Sequence, residues 1–160
     1  MSENGRETWD EYFMGLARNV AGRSKDRSSR IGAVIVGPDK EIRSTGYNGM
    51  PRGVDDDVED RHERPVKYFY FEHAERNAIF NAARASIGTK GCRMYVCGLR
   101  PCADCARAIV QAGIVEVVLE GLDVVERWAD SMEAGRFILE EAGVVVRMVN
   151  EIVTVDMESR

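Results

Sequence analysis

Apolar residues recur at helical spacing in the first stretch of the chain. Tyr12, Phe13, Leu16, Ala17 and Val20 fall on one face, the three-to-four-residue period of an amphipathic helix. Thr8 stands where an N-cap belongs and Glu11 follows three residues later, a capping box that opens a helix expected to run to about Arg23. The period then changes. Ile31–Val36 is an apolar run and Glu41–Tyr47 a second extended segment, separated by Gly37, Pro38, Asp39 and Lys40; two strands around a turn signal predict a hairpin. Residues 48–70 mix glycine, proline and both charges and predict a long loop, of a length that compact domains usually keep for function.

A second helix is expected from about Glu72 to Ala85, then a strand at Arg93–Cys97 and a helix at Cys102–Ala112 closed by Gly113. A strand at Val115–Leu119, a helix over roughly Val124–Ala142 with Gly143 at its C′ position, and a strand at Val144–Val149 complete the pattern. Strands that alternate with helices predict an α/β chain, a three-layer α/β/α sandwich around a five-stranded mixed sheet with parallel strands in its second half. No repeat, low-complexity tract or linker breaks the sequence, so residues 1–160 are read as one domain. The tail from Glu151 to Arg160 alternates enough to be a further strand or a disordered end.

Composition narrows the class. Hydrophobic residues at 44% and charged residues at 31% suit a globular protein rather than a disordered one. The apolar runs fall far short of the roughly 20 residues that span a bilayer, and the N-terminal MSENGRETWDEY lacks the basic and apolar regions of a secretory signal; a cytoplasmic protein without membrane partners is expected. A net charge of −5 disfavours nucleic acid as a partner, while leaving room for one small phosphorylated ligand held by a few arginines.

The candidate chemistry lies in two short stretches. His73 stands two residues before Glu75 at a helix start, and Pro101-Cys102-Ala103-Asp104-Cys105 follows a strand and opens the next helix. Cys102 and Cys105 are three apart, so both sulfurs face one point, where the positive helix end favours thiolates. Either stretch alone is ambiguous: a histidine and a glutamate can simply open a helix, and Cys-x-x-Cys serves redox pairs and structural zinc sites. Together they supply two thiolates and an imidazole, the three ligands of a catalytic zinc with a fourth position for water. Glu75 is then placed beside that water to move its proton. The combination matches the signature of zinc deaminases. Cys92 and Cys97 flank a predicted strand and read as small buried hydrophobes.

On these motifs the chain resembles the cytidine and deoxycytidylate deaminase superfamily, most closely its deoxycytidylate branch. Ser24-Lys25-Asp26, Gly32–Val36, Gly46–Gly53, Glu75–Ile79 and Ile109–Ile114 add to the likeness, which extends from about Thr8 to Val149. The resemblance implies hydrolytic deamination of dCMP to dUMP, feeding thymidylate synthesis. It assigns one zinc ion to His73, Cys102 and Cys105, and the proton shuttle to Glu75, serving ring N3 and then the departing amine. It assigns the pyrimidine edge to the backbone of Ala74 and the sugar to Asn48. Arg84 would receive the 5′-phosphate, with Arg23, Lys25 and Arg52 as other candidates, and Ser24 belongs to the substrate-binding set. A homo-oligomer, commonly a hexamer, is implied as well, with dCTP and dTTP as effectors in some members and Mg2+ accompanying the effector nucleotide. Two features depart from the pattern: no aromatic follows Leu119 directly, which leaves Trp128, the long loop or a neighbouring subunit to cover the base, and the run from Val54 to Tyr70 is atypical. Deamination of another base, a nucleoside or a modified cytosine nucleotide is the neighbouring alternative. Editing of tRNA or single strands and a non-catalytic nucleotide-binding zinc module are the more distant ones.

Overall fold

The computed structural model describes residues 4–121 and 123–151. Ten elements build it: α1 (Trp9–Ala21), β1 (Gly32–Val36), β2 (Ile42–Tyr47), α2 (Lys67–Tyr70), α3 (Ala74–Arg84), β3 (Arg93–Cys97), α4 (Ala103–Gln111), β4 (Glu116–Leu119), α5 (Ala129–Glu141) and β5 (Val145–Met148). The capping box at Thr8 is complete, its hydroxyl accepting from Glu11 N at 3.1 Å while the Glu11 carboxylate accepts from Thr8 N at 2.7 Å. Gly113 and Gly143 close α4 and α5 with φ of +74° each, a conformation that costs glycine nothing.

The five strands form one sheet in the order β2-β1-β3-β4-β5. β1 runs antiparallel to both β2 and β3, and β3, β4 and β5 are mutually parallel. This is the expected mixed sheet. Alternate residues of each strand feed two cores. Val34, Val36, Tyr95, Cys97 and Val118 meet Phe13, Met14 and Ala17 of α1 on one face. Ala33, Ile35, Met94, Val96, Val117 and Leu119 meet Ala74 and Ala78 of α3, Ala106 and Ile109 of α4 and Leu139 of α5 on the other. The two β-α-β crossovers advance in one direction across the sheet, so their right-handedness puts α4 and α5 on the same face. β1 is buried along its whole length, as a central strand covered on both sides must be. Cys92 and Cys97 are buried as small apolar side chains.

Two expectations are corrected. The loop after β2 contains a 3-10 turn at Glu59–His62 and the short α2, because Lys67 and Phe71 pack inward and tie that run to the body of the protein. The helix expected from Val124 begins at Ala129; a 3-10 turn at Glu126–Trp128 precedes it and turns the Trp128 ring toward α3 instead of outward. The tail from residue 152 lies outside the described residues. No helix among the described residues is long and apolar enough to cross a membrane.

The topology gathers four segments at one edge of the sheet. β2 and β3 both run antiparallel to β1 and therefore point the same way, so the residues after β2, after β3 and after β4 emerge together with those that precede β1. Clefts of α/β proteins lie at this carboxyl edge.

Candidate active site

The cleft at that edge has a volume of about 140 Å³ and is walled by Asp26, Ser28 and Ser29 before β1, Asn48 after β2, Arg64, Lys67, Tyr68 and residues 71–76 leading into α3, Leu99, Arg100, Cys102 and Asp104 after β3, and Arg127, Trp128 and Met132 before and within α5. His73 is the N-cap of α3 and Cys102 the N-cap of α4; two helix starts converge there. His73 Nδ1 lies 3.4 Å from Cys102 Sγ and 3.4 Å from Cys105 Sγ. A tetrahedral zinc with ordinary bond lengths would hold nitrogen and sulfur about 3.5 Å apart, so the three side chains already stand at ligand spacing. They are the one such group among the described residues that combines imidazole and thiolates. Cys102 is held down to about 4, first by a hydrogen bond from Cys105 and also by His73, and Cys105 is pushed up by the same bond and by burial.

Backbone and neighbours fix this arrangement. Gly49 and Glu72 exchange both backbone hydrogen bonds, at 3.0 and 2.8 Å, which pins the residue before His73 against the residue after Asn48. The Ser131 hydroxyl of α5 accepts from Ala103 N at 3.1 Å and caps α4. Two glycines allow close docking: a Cβ at Gly46 would lie 2.4 Å from Ala74 O, and one at Gly135 would lie 2.7 Å from Pro101 O. Each site would clash with the backbone that carries a ligand residue.

Glu75 is 3% exposed and sits in the first turn of α3, lining the cleft beside His73. Burial raises its pKa, opposed by the charge of His73. A carboxylate lifted in this way is a competent proton acceptor and donor nearer neutrality than an exposed one. The backbone of Ala74 also lines the cleft.

Asn48 is buried and fully engaged on its donor side. Its Nδ2 donates to Asp26 Oδ2 at 3.1 Å and to Ser29 O at 2.8 Å, while Oδ1 accepts from Ile31 N at 2.8 Å. Ser24 does not line the cleft; its hydroxyl lies behind Asn48 and donates to Asn48 O at 2.8 Å. Asp26 and Lys67 form a buried ion pair at 2.7 Å, and Ser28 N and Ser29 N also donate to Asp26. Burial alone would raise Asp26, but Lys67 and the two backbone donors lower it on balance.

Arg84 is not brought to the cleft. It is exposed at the far end of α3, about 16 Å along the helix from His73 at 1.5 Å per residue. Arg23, Lys25 and Arg52 do not line the cleft either, and Lys25 pairs with Asp56 at 2.9 Å. The cations that do line it are Arg64, Lys67, Arg76, Arg100 and Arg127. Arg76 is bound by Glu72 at 2.6 Å. Arg64 and Arg127 have no hydrogen bond or ion pair among the described residues, and Arg100 Nε is buried without a partner.

Trp128 supplies the aromatic that Leu119–Asp123 lacks. Its ring stands edge-on to His73, centroids 5.3 Å apart, and to Tyr68 at 5.6 Å, forming one wall of the cleft. Sequence reasoning missed Asp26 as an anchor, Lys67 and the three arginines. Asp26 alone had a signal, its place in the Ser24–Asp26 motif.

Comparison with known proteins agrees with this geometry. Residues 7–120 match the profile of the cytidine and deoxycytidylate deaminase zinc-binding region. The deoxycytidylate deaminases of Mus musculus and Homo sapiens are each 44% identical over 146 residues, 87% of this chain and 78% of theirs. The dCMP deaminase of cyanophage S-TIM5, solved in complex with dCMP and dUMP, superposes with a TM-score of 0.71 at 28% identity, covering 86% of this chain and 94% of that one.

Proposed function

The chain belongs to the cytidine and deoxycytidylate deaminase family, and from that premise we propose that it hydrolyses dCMP to dUMP and ammonia. The observation that carries this reading is the group His73, Cys102 and Cys105 at zinc-ligand spacing with a buried Glu75 in the same cleft. Bound by these three side chains, zinc supplies a Lewis acid that lowers the pKa of water to about 7. Glu75 accepts one proton of the attacking water and delivers it to ring N3; it then takes the second proton, from the hydroxyl added at C4, and gives it to the amine, which leaves C4 as ammonia while the C4 carbonyl forms. The backbone at Ala74 holds the pyrimidine edge, and Trp128 with Tyr68 walls off the ring from water. Asn48, whose amide protons are spent on Asp26 and Ser29, offers the sugar an acceptor only.

The phosphate is assigned to Arg64 and Arg127, with Arg100 lining the same cleft, in place of Arg84. Unpartnered guanidinium groups that line a cleft are ready for bidentate binding of a phosphate. In the same reading the protein is cytoplasmic and assembles as a homo-oligomer, commonly a hexamer. The exposed Phe80 of α3 and Phe137 of α5 suit subunit contacts. Control by dCTP and dTTP, with Mg2+ accompanying the effector, rests on the family likeness and is tested by adding each nucleotide to the assay.

A substrate panel of cytosine, deoxycytidine, CMP, dCMP and dCTP tests the proposal. Expected is dCMP as the preferred substrate, with Arg64→Ala and Arg127→Ala each lowering kcat/KM for dCMP roughly 10- to 100-fold and leaving deoxycytidine nearly unchanged. Equal turnover of dCMP and deoxycytidine would refute the phosphate assignment, and no turnover of any cytosine compound would refute the reaction.

A further inference from the structure

The buried pair of Asp26 and Lys67 has no part in the chemistry at Glu75, yet both residues line the cleft next to Asn48. Lys67 is 7% exposed and Asp26 6%. An ammonium so buried is expensive unless its environment returns the lost hydration. Asp26 Oδ1 takes one of its three protons at 2.7 Å, and the Phe71 ring lies under the nitrogen at 5.0 Å. Asp26 is the side-chain acceptor that Lys67 meets among the described residues, so donor capacity remains toward the cleft.

Asn48 stands one hydrogen bond away and is complementary. Both Nδ2 protons are taken, by Asp26 and by Ser29 O, and Oδ1 has accepted one bond, from Ile31 N. A carbonyl oxygen has a second lone pair. The wall therefore presents an acceptor from Asn48 and a donor from Lys67, with their relative position fixed by the Asp26 carboxylate that binds both. A hydroxyl group, which donates one hydrogen bond and accepts another, satisfies the two together. A phosphate could use the donor only, and Asp26 neutralises the charge that would attract one.

We infer that Lys67 is a substrate-binding residue that reads the sugar hydroxyl of the nucleotide, and that Asp26 is the positioning residue that holds Lys67 and Asn48 in register. The assignment rests on the proposed deamination of dCMP. In dCMP the deoxyribose carries one free hydroxyl, at C3′. Lys67 donates to its oxygen and Asn48 Oδ1 accepts its proton. Lys67 lies on the short α2 just before the metal-ligand helix α3, so the same ion pair also fixes the approach to His73.

The test is a cycle between residue and substrate group. Zinc-loaded wild-type protein and Lys67→Met are assayed with dCMP and with the 2′,3′-dideoxy nucleotide that lacks the hydroxyl, with zinc content and Tm measured for each protein. Expected is a wild-type preference for dCMP in kcat/KM of roughly 10- to 100-fold, carried mainly by KM and largely abolished by Lys67→Met. If both substrates lose the same factor in Lys67→Met, the residue is structural and the assignment is overturned. Should Lys67→Met not fold with zinc, Lys67→Arg keeps the charge beside Asp26 while displacing the donor. A reduced preference in that variant supports the assignment, and an unchanged one overturns it. A wild-type protein inert toward dCMP refutes the reaction and the assignment with it, whereas an active wild type with additive effects refutes the assignment alone.

Discussion

Gly46 lies in β2 with α3 pressed against it, and replacing it by alanine puts a Cβ 2.3 Å from Ala78 N, 2.4 Å from Ala74 O and 2.8 Å from Asn77 C. Carbon contacts are comfortable from about 3.5 Å outward, so the first turns of α3 must retreat by roughly 1 Å. All three clashing atoms are backbone, and no rotamer change relieves them. Overpacking of this kind costs about 1–3 kcal/mol, and a domain of this size loses roughly 2–4 °C of Tm per kcal/mol. A fall of about 2–12 °C is therefore expected for Gly46→Ala. The functional loss should be larger, because the retreating turn carries His73, Ala74 and Glu75, and a displacement of about 1 Å at a reacting group costs on the order of 100-fold. Thermal unfolding and kcat/KM for dCMP, both on zinc-loaded protein, check this. An alanine variant with Tm within a degree of wild type and full activity would refute the claim that Gly46 sets the docking of α3.

Trp128→Ala removes the ring that walls the cleft beside His73 and Tyr68, and kcat/KM for dCMP should fall roughly 10-fold or more, with Trp128→Phe retaining most activity; steady-state kinetics on both variants decide it. Because the proton acceptor must be ionised, kcat/KM should decline at low pH as Glu75 takes up its proton. A pH profile measured with Glu75 intact checks this. Asp10, desolvated but bonded by Arg147, Asn150 N and Tyr95, is lowered from 3.8 to about 2. Its folded pKa lies below the unfolded one, so the stability it contributes is present above pH 4 and lost as pH falls toward 2. Tyr95 is pushed up to about 12, first by burial and then by its bond to Asp10, so its contribution disappears as pH rises from 10 to 12. Tm measured across pH should show both declines, and Asp10→Asn should flatten the acidic one.

What could be read in the sequence was local or doubly signalled. The Thr8–Glu11 capping box, the Gly113 and Gly143 helix ends and the apolar run of β1 each report on their own neighbourhood, and the structure reproduces them. The metal group was legible although its parts are 29 and 32 residues apart, because each part has a recognisable spacing of its own. The cleft walls were not. Lys67 sits in a stretch of mixed charge where a lysine is ordinarily solvated, and only its partner 41 residues earlier explains its burial. Arg84 stays outside the cleft of the described residues for the opposite reason. Helical spacing puts it on the face of His73, but the length of α3 carries it away from the cleft. The start of α5 was misread because helical propensity continues through Val124–Trp128, while packing of Trp128 on His73 favours the tighter turn.

Glu75→Gln tests the central claim most directly, since the substitution keeps the shape of the side chain and removes its capacity to take a proton. The measurement is dUMP and ammonia formed from dCMP by the variant, with zinc counted on the same preparation. The account predicts one zinc per chain and turnover reduced by roughly 100- to 10,000-fold. Wild-type turnover from a zinc-loaded Glu75→Gln protein would contradict it.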